Sequence, residues 1–162
     1  MALTGDASEV RQVLLLTIAG DVMMEYDADG NLISDGRWTY AWDGENRLTN
    51  MMRNVESPAG ARQQLTFEYD AEGRRIRKQY WTNSGSGFVA QSTNLFLYDG
   101  WNLIGELNAS GGGRLRTYIW GTDLSGTMAG AGGVGGLLLV ADYTTGTPNF
   151  VAYDGNGNVA AL

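Results

Sequence analysis

Asp27, Asp29 and Asn31 stand at alternate positions in the run DADGN, the spacing with which a calcium loop presents its first oxygen ligands. A complete loop of that kind needs glycine at its sixth position and a bidentate acid at its twelfth, and this chain has Leu32 and Trp38 there. The run DGNGN repeats the spacing with Asp154, Asn156 and Asn158, but Val159 takes the place of the glycine. Gly130, Gly132 and Gly135 satisfy the G-x-G-x-x-G spacing of a dinucleotide loop. That chemistry requires a helix directly after the loop to receive the pyrophosphate, and the next residues are LLLVADY, a strand pattern. RRIRK at 74–78 is the one basic cluster, flanked by Tyr69, Tyr80 and Trp81. On a regular strand Arg75 and Arg77 share one face and Arg74, Ile76 and Lys78 the other, so its charge is split. The 18 acids supply many carboxylate pairs of the sort glycoside hydrolysis uses, but those in the repeated runs are accounted for by turn geometry.

The chain has no histidine and no cysteine. Ser-His and Cys-His relays, histidine-containing zinc sites, thiolate ligands and disulfides are therefore closed to it. Its net charge of -7 is opposite to what a phosphate backbone requires, so nucleic acid is not an expected partner. No catalytic, cofactor-binding or metal-binding residue is assigned, and no cofactor is expected. VRQVLLLTIAGDV at 10–22 comes after Asp6 and Glu9, where a signal peptide carries positive charge, and it is too short to span a bilayer. It reads as a buried strand, and no membrane span is expected.

The elements that must position these side chains are strands. WTYAW sets Trp38, Tyr40 and Trp42 on one face, and LTFEY does the same with Leu65, Phe67 and Tyr69. TNLFLY, LRTYIW, GLLLVADY and NFVAY read likewise, and no long segment shows helical spacing. With 24 glycines and 2 prolines the chain has the punctuation of many short strands. Its 162 residues suffice for one domain spanning 1–162, with 1–21 unassigned, that buries about 70% of its unfolded surface. The expected fold class is all-β: an antiparallel meander of roughly ten to twelve short strands forming a curved open sheet, with longer connections at 54–62, 83–87, 108–113 and 121–136.

The strands are joined by a repeated turn. Aligned on their aspartates, the runs give Tyr26-Asp27, Trp42-Asp43, Tyr69-Asp70, Tyr98-Asp99 and Tyr153-Asp154. Three positions after each Asp stand Gly30, Asn46, Gly73, Asn102 and Gly157, the two residue types that best tolerate positive φ. Each aromatic thus ends a strand, each Asp accepts backbone N–H groups, and each Gly or Asn takes a left-handed conformation in a bulged hairpin turn.

YDADGNL, WDGENRL and YDAEGRRI resemble consecutive units of the Rhs/YD-repeat family, and LYDGWNLIGELN with YIWGTDLSGTMAGAGGVGGLL resembles the stretch before the Rhs core. The resemblance covers about residues 22–162. It implies a β-sheet strip that spirals into a hollow shell, similar to those of teneurins and toxin complexes. The shell encloses or presents an effector polypeptide, and its parent is secreted or cell-surface associated. Family activity lies in the effector and in an aspartyl self-cleavage site, neither of which this sequence matches. The resemblance therefore implies a non-enzymatic wall segment. Two alternatives stay open: a cell-surface carbohydrate- or protein-binding module using rows such as Trp38, Tyr40 and Trp42, and an enzyme. The expected partners are flanking repeats or further copies, met through open sheet edges, and an enclosed effector.

Overall fold

The computed structural model describes residues 24–53, 58 and 61–162. The strand expected at 10–22 and most of the connection at 54–62 lie outside the described residues. Thirteen strands and no α-helix occur among those described: β1 (Glu25–Tyr26), β2 (Leu32–Ser34), β3 (Trp38–Trp42), β4 (Leu48–Arg53), β5 (Gln63–Tyr69), β6 (Arg75–Asn83), β7 (Phe88–Asp99), β8 (Asn102–Asn108), β9 (Arg114–Trp120), β10 (Leu137–Asp142), β11 (Thr147–Phe150), β12 (Ala152–Tyr153) and β13 (Val159–Ala161). β1 to β11 form one antiparallel sheet in sequence order, and β12 and β13 a separate two-stranded one. This is the meander that alternation predicts.

The register shows how one face is made. Tyr40 stands opposite Met51, Met51 opposite Leu65, and Leu65 opposite Tyr80. Farther along, Phe96 stands opposite Glu106, Glu106 opposite Arg116, and Tyr118 opposite Val140. Opposed residues in an antiparallel pair project to the same side, so these side chains share a face. The buried apolar residues Phe67, Phe96 and Val140 all lie on it. The core is thus a row across one face of a single-layer sheet. Arg75 roofs part of it, its guanidinium 5.3 Å from the Phe67 ring centre and 5.4 Å from that of Phe96.

Each Asp-led hairpin carries a bulge just before its aromatic, at Glu25/Tyr26, Ala41/Trp42, Glu68/Tyr69, Leu97/Tyr98 and Ala152/Tyr153. The extra residue changes which side chains share a face. In β6, Tyr69 pairs with Arg75, Glu68 with Arg77 and Phe67 with Lys78. Arg75 and Lys78 therefore share the core face, and Arg77 pairs with Glu68 at 3.1 Å on the other. Strict alternation through RRIRK puts Arg75 and Arg77 together; the bulge at Ile76 separates them.

Candidate functional site

The turns at Asp27, Asp43, Asp70 and Asp154 share one hydrogen-bond scheme. In the Asp70 turn, Asp70 N–H donates to Arg74 O (3.0 Å) and Gly73 N–H to Asp70 O (3.1 Å). Asp70 Oδ1 accepts from Glu72 N (3.0 Å) and Arg74 N (2.9 Å), and Oδ2 accepts from Arg74 Nε (2.8 Å). Asn31, Arg47 and Asn158 take the place of Arg74 in the other three turns. Every one of these carboxylates is held below its ordinary pKa. For Asp27 and Asp154 the leading cause is the side-chain hydrogen bond from Asn31 or Asn158. For Asp43 and Asp70 burial pushes upward, and hydrogen bonds from Arg47 and Arg74 outweigh it.

The left-handed positions are Gly30 (φ 85°), Asn46 (φ 58°), Gly73 (φ 83°) and Gly157 (φ 79°). Asn102 is a correction. It begins β8 opposite Asp99, and the positive φ falls on Gly100 (56°). Only Gly100 and Trp101 separate the two strands, a two-residue hairpin with glycine first. Tyr98 pairs with Leu103, the fourth residue after its Asp, where Tyr69 pairs with the fifth, so the loop is one residue too short for the scheme of the other turns. The Asp99 carboxylate is consequently left out of the turn.

Neighbouring turns are stitched together along one rim of the sheet. Arg47 Nη1 donates to Asp70 O at 3.3 Å, Arg74 Nη1 to Gly100 O at 2.5 Å, and Asn31 Nδ2 to Asn46 Oδ1 at 2.9 Å. The guanidinium of Arg47 lies 5.2 Å from the Tyr69 ring centre and that of Arg74 5.5 Å from the Tyr98 ring centre. The aromatics form a second set of stitches. Trp42 Nε1 donates to Leu32 O (2.8 Å), Tyr69 Oη to Leu48 O (2.8 Å), Tyr98 Oη to Arg75 O (3.0 Å) and Tyr153 Oη to Leu137 O (2.6 Å). Trp120 Nε1 does the same to Leu103 O (2.7 Å). Tyr26 stands apart, exposed at β1, with its hydroxyl 3.6 Å from Met24 Sδ. The residues four places after each Asp escaped sequence reasoning, although aligning Asn31, Arg47, Arg74 and Asn158 would have shown a recurrent donor.

Two further charged sites are fixed by tertiary structure. Glu106 is buried and accepts from Asn94 Nδ2 (2.5 Å), Arg116 Nη1 (3.0 Å) and Tyr118 Oη (3.4 Å), while Arg116 Nε also binds Asp142 (3.0 Å). Asp123, also buried, holds the glycine-rich loop at 121–136: its carboxylate accepts from Ser125 Oγ (2.5 Å), Ala131 N (2.6 Å) and Gly133 N (3.1 Å). These bonds, led by that from Ser125, keep its pKa down at about 2. The loop rests on the β7–β8 hairpin, since a Cβ on Gly133 would meet Asn102 Oδ1 at 2.7 Å. Asp99, Gly100, Trp101, Asn102, Met128, Ala129 and Gly132 line a cavity of about 560 Å³ between hairpin and loop. Among the described residues no group of three or more Asp or Glu is arranged to hold a metal ion.

By their fold the described residues form an eleven-stranded antiparallel sheet with a stitched rim of Asp-led turns and a separate two-stranded sheet. Over 150 residues, 91% of the chain, it is 33% identical to the tRNA3(Ser)-specific nuclease WapA of Bacillus spizizenii, and over 88 residues it is 40% identical to the tRNA nuclease WapA of Bacillus subtilis. It spans 5% and 3% of these proteins' lengths. No protein-family model matches it. These relatives correct the assignment drawn from the repeated motif. The Rhs/YD resemblance implies a non-enzymatic shell wall, with a cell-surface binding module as the alternative, whereas the proteins that match are named as nucleases. The physical reason for the misassignment is that Asp-led turns report backbone geometry alone. That geometry does not carry the chemistry for which the relatives are named.

Proposed function

We infer that this chain is a stretch of a tRNA-cleaving nuclease of the WapA kind. The observation that carries the reading is the 33% identity sustained over 91% of the chain, which takes in most of the sheet. Within such a nuclease the sheet contributes fixed geometry. Arg47, Arg74 and Arg116 each ion-pair with carboxylates at 2.8–3.0 Å, and the first two also bind the backbone of the next turn. Successive hairpins are thereby held at a set spacing, on which a nuclease active site can be built.

A replacement experiment tests this reading. The present sequence is substituted for the matched stretch of the Bacillus spizizenii nuclease, and the product is incubated with total tRNA and resolved on denaturing gels. Cleavage of the same tRNA is expected to persist. A chimera that is folded by circular dichroism yet leaves all tRNA intact at enzyme excess would overturn the assignment.

A further inference from the structure

Asp99 differs from the other repeat aspartates in what its carboxylate does. Each of the other four is consumed by backbone and side-chain donors of its own turn. Among the described residues no hydrogen bond or ion pair engages the Asp99 carboxylate. The shortened hairpin also pushes an indole outward: Trp101 is 69% exposed, and Met128 across the cavity is 56% exposed. Both side chains line the cavity and leave more than half of their surface free there. The walls are nevertheless firm, because Asp123 anchors the loop and Gly133 seats it against Asn102 and Trp120.

The electrostatics select the ligand. Arg74 reaches the hairpin through Gly100 O but is matched by Asp70 at 2.8 Å and Glu72 at 3.0 Å. Asp99 adds an unmatched negative charge, and the whole chain carries -7. A phosphate-bearing ligand is repelled here. A cation is attracted by the carboxylate and by the face of an exposed indole, the aromatic with the strongest cation–π attraction. The cavity volume suits an organic side chain with its stem, and the Met128 thioether packs adaptably against such a stem.

We propose that the cavity between the β7–β8 hairpin and the glycine-rich loop receives an arginine or lysine side chain of a polypeptide, with Asp99 as counter-ion and Trp101 as the stacking face. The site stands independently of the nuclease reading. The test titrates the full chain with a hexa-arginine peptide, its uncharged hexa-citrulline counterpart and a single-stranded RNA hexamer. Tryptophan fluorescence and calorimetry provide the readouts. Hexa-arginine is expected to bind and perturb the fluorescence, and the citrulline peptide and the RNA to do neither. Asp99→Asn and Trp101→Leu should each weaken peptide binding about tenfold. Asp29→Asn, which removes the same charge from an exposed position on another turn, should change it less than about twofold. Equal losses in Asp99→Asn and Asp29→Asn would reduce the effect to bulk charge and overturn the proposal. Failure of hexa-arginine to bind, or binding of the RNA hexamer that depends on Trp101, would overturn it as well.

Discussion

Replacing Gly73 with valine separates the cost of a backbone conformation from the cost of a clash. Gly73 has φ +83°, and a Cβ built on it meets nothing within 4 Å. The whole penalty is therefore conformational. It is about 1–2 kcal/mol for an L-residue in the left-handed region and stands at the upper end for a β-branched side chain. Asparagine is the internal control, because Asn46 holds the equivalent place in the β3–β4 turn at φ 58°. Gly73→Asn should cost less than about 1 kcal/mol, since asparagine tolerates this region. For a chain of this size about 1 kcal/mol corresponds to roughly 2–4 °C, so Gly73→Val should lower Tm by roughly 4–8 °C and Gly73→Asn by less than half of that. Glu72→Ala, at a position whose side chain is 63% exposed, should leave Tm nearly unchanged. Thermal melts monitored by far-ultraviolet circular dichroism give all three values. Equal losses for valine and asparagine would mean that side-chain size sets the cost, and the assignment of the turn would fail.

The same geometry sets three more expected outcomes. Tyr69→Phe removes the donor to Leu48 O and should cost about 1 kcal/mol, read as a lower urea midpoint with an unchanged slope. Asp123, depressed from 3.8 to about 2, contributes stability that is present above pH 4 and is lost as pH falls toward 2. The stability gap between the wild type and Asp123→Asn should therefore close over that interval, and a gap constant from pH 7 to pH 2 would refute the role of the carboxylate. β1 and β11 are the outer strands of the eleven-stranded sheet, and self-association through these edges is proposed; concentration-dependent light scattering should reveal it, and a strictly monomeric species at high concentration would count against it.

The sheet was legible because its two signals are local. Alternation in WTYAW and LTFEY specifies strands, and Asp with Gly or Asn three places on specifies the turn where the loop has its full length. Reading failed where the structure depends on relations between strands. Asn102 has the right residue type at the right offset, but the offset has meaning only where five residues separate the strands, as at 27–31, 43–47 and 70–74. Arg75 and Arg77 were given a common face because a bulge has no sequence mark in RRIRK. Glu106, in a strand reading LIGELN, is buried by Asn94, Arg116 and Tyr118 from the two strands that flank it, which no spacing announces. Function was less legible than fold for a related reason: the most repetitive residues are those that make turns, and they dominated the resemblance.

The stitches account for the irregularity of the repeat better than its aspartates do. Between Asp99 and Asp154 no aromatic stands directly before an Asp in the sequence, yet Trp120 donates to Leu103 O just as Tyr69 donates to Leu48 O. Trp120 is thus the aromatic of a unit whose Asp has become Gly121, and Gly121 N–H pairs with Gly136 O at 2.7 Å across the enlarged loop. Asp123, two places farther on, heads a short turn with the same backbone bonds, its N–H donating to Thr127 O (2.7 Å) and Gly126 N–H to Asp123 O (2.9 Å), and its carboxylate also holds Ala131 and Gly133 of the enlarged loop. The two departures from the rule, a shortened β7–β8 hairpin and a lengthened β9–β10 loop, are neighbours on one rim, and the cavity lies between them. Inserting one glycine after Trp101, which restores the spacing of Asp27, Gly30 and Asn31 with Asn102 in the place of Asn31, should give Asp99 its usual donors and fill the space that Trp101 and Met128 line. An insertion variant that folds with Tm unchanged or raised and still binds hexa-arginine as the parent does would separate the cavity from the broken repeat and refute this origin for it.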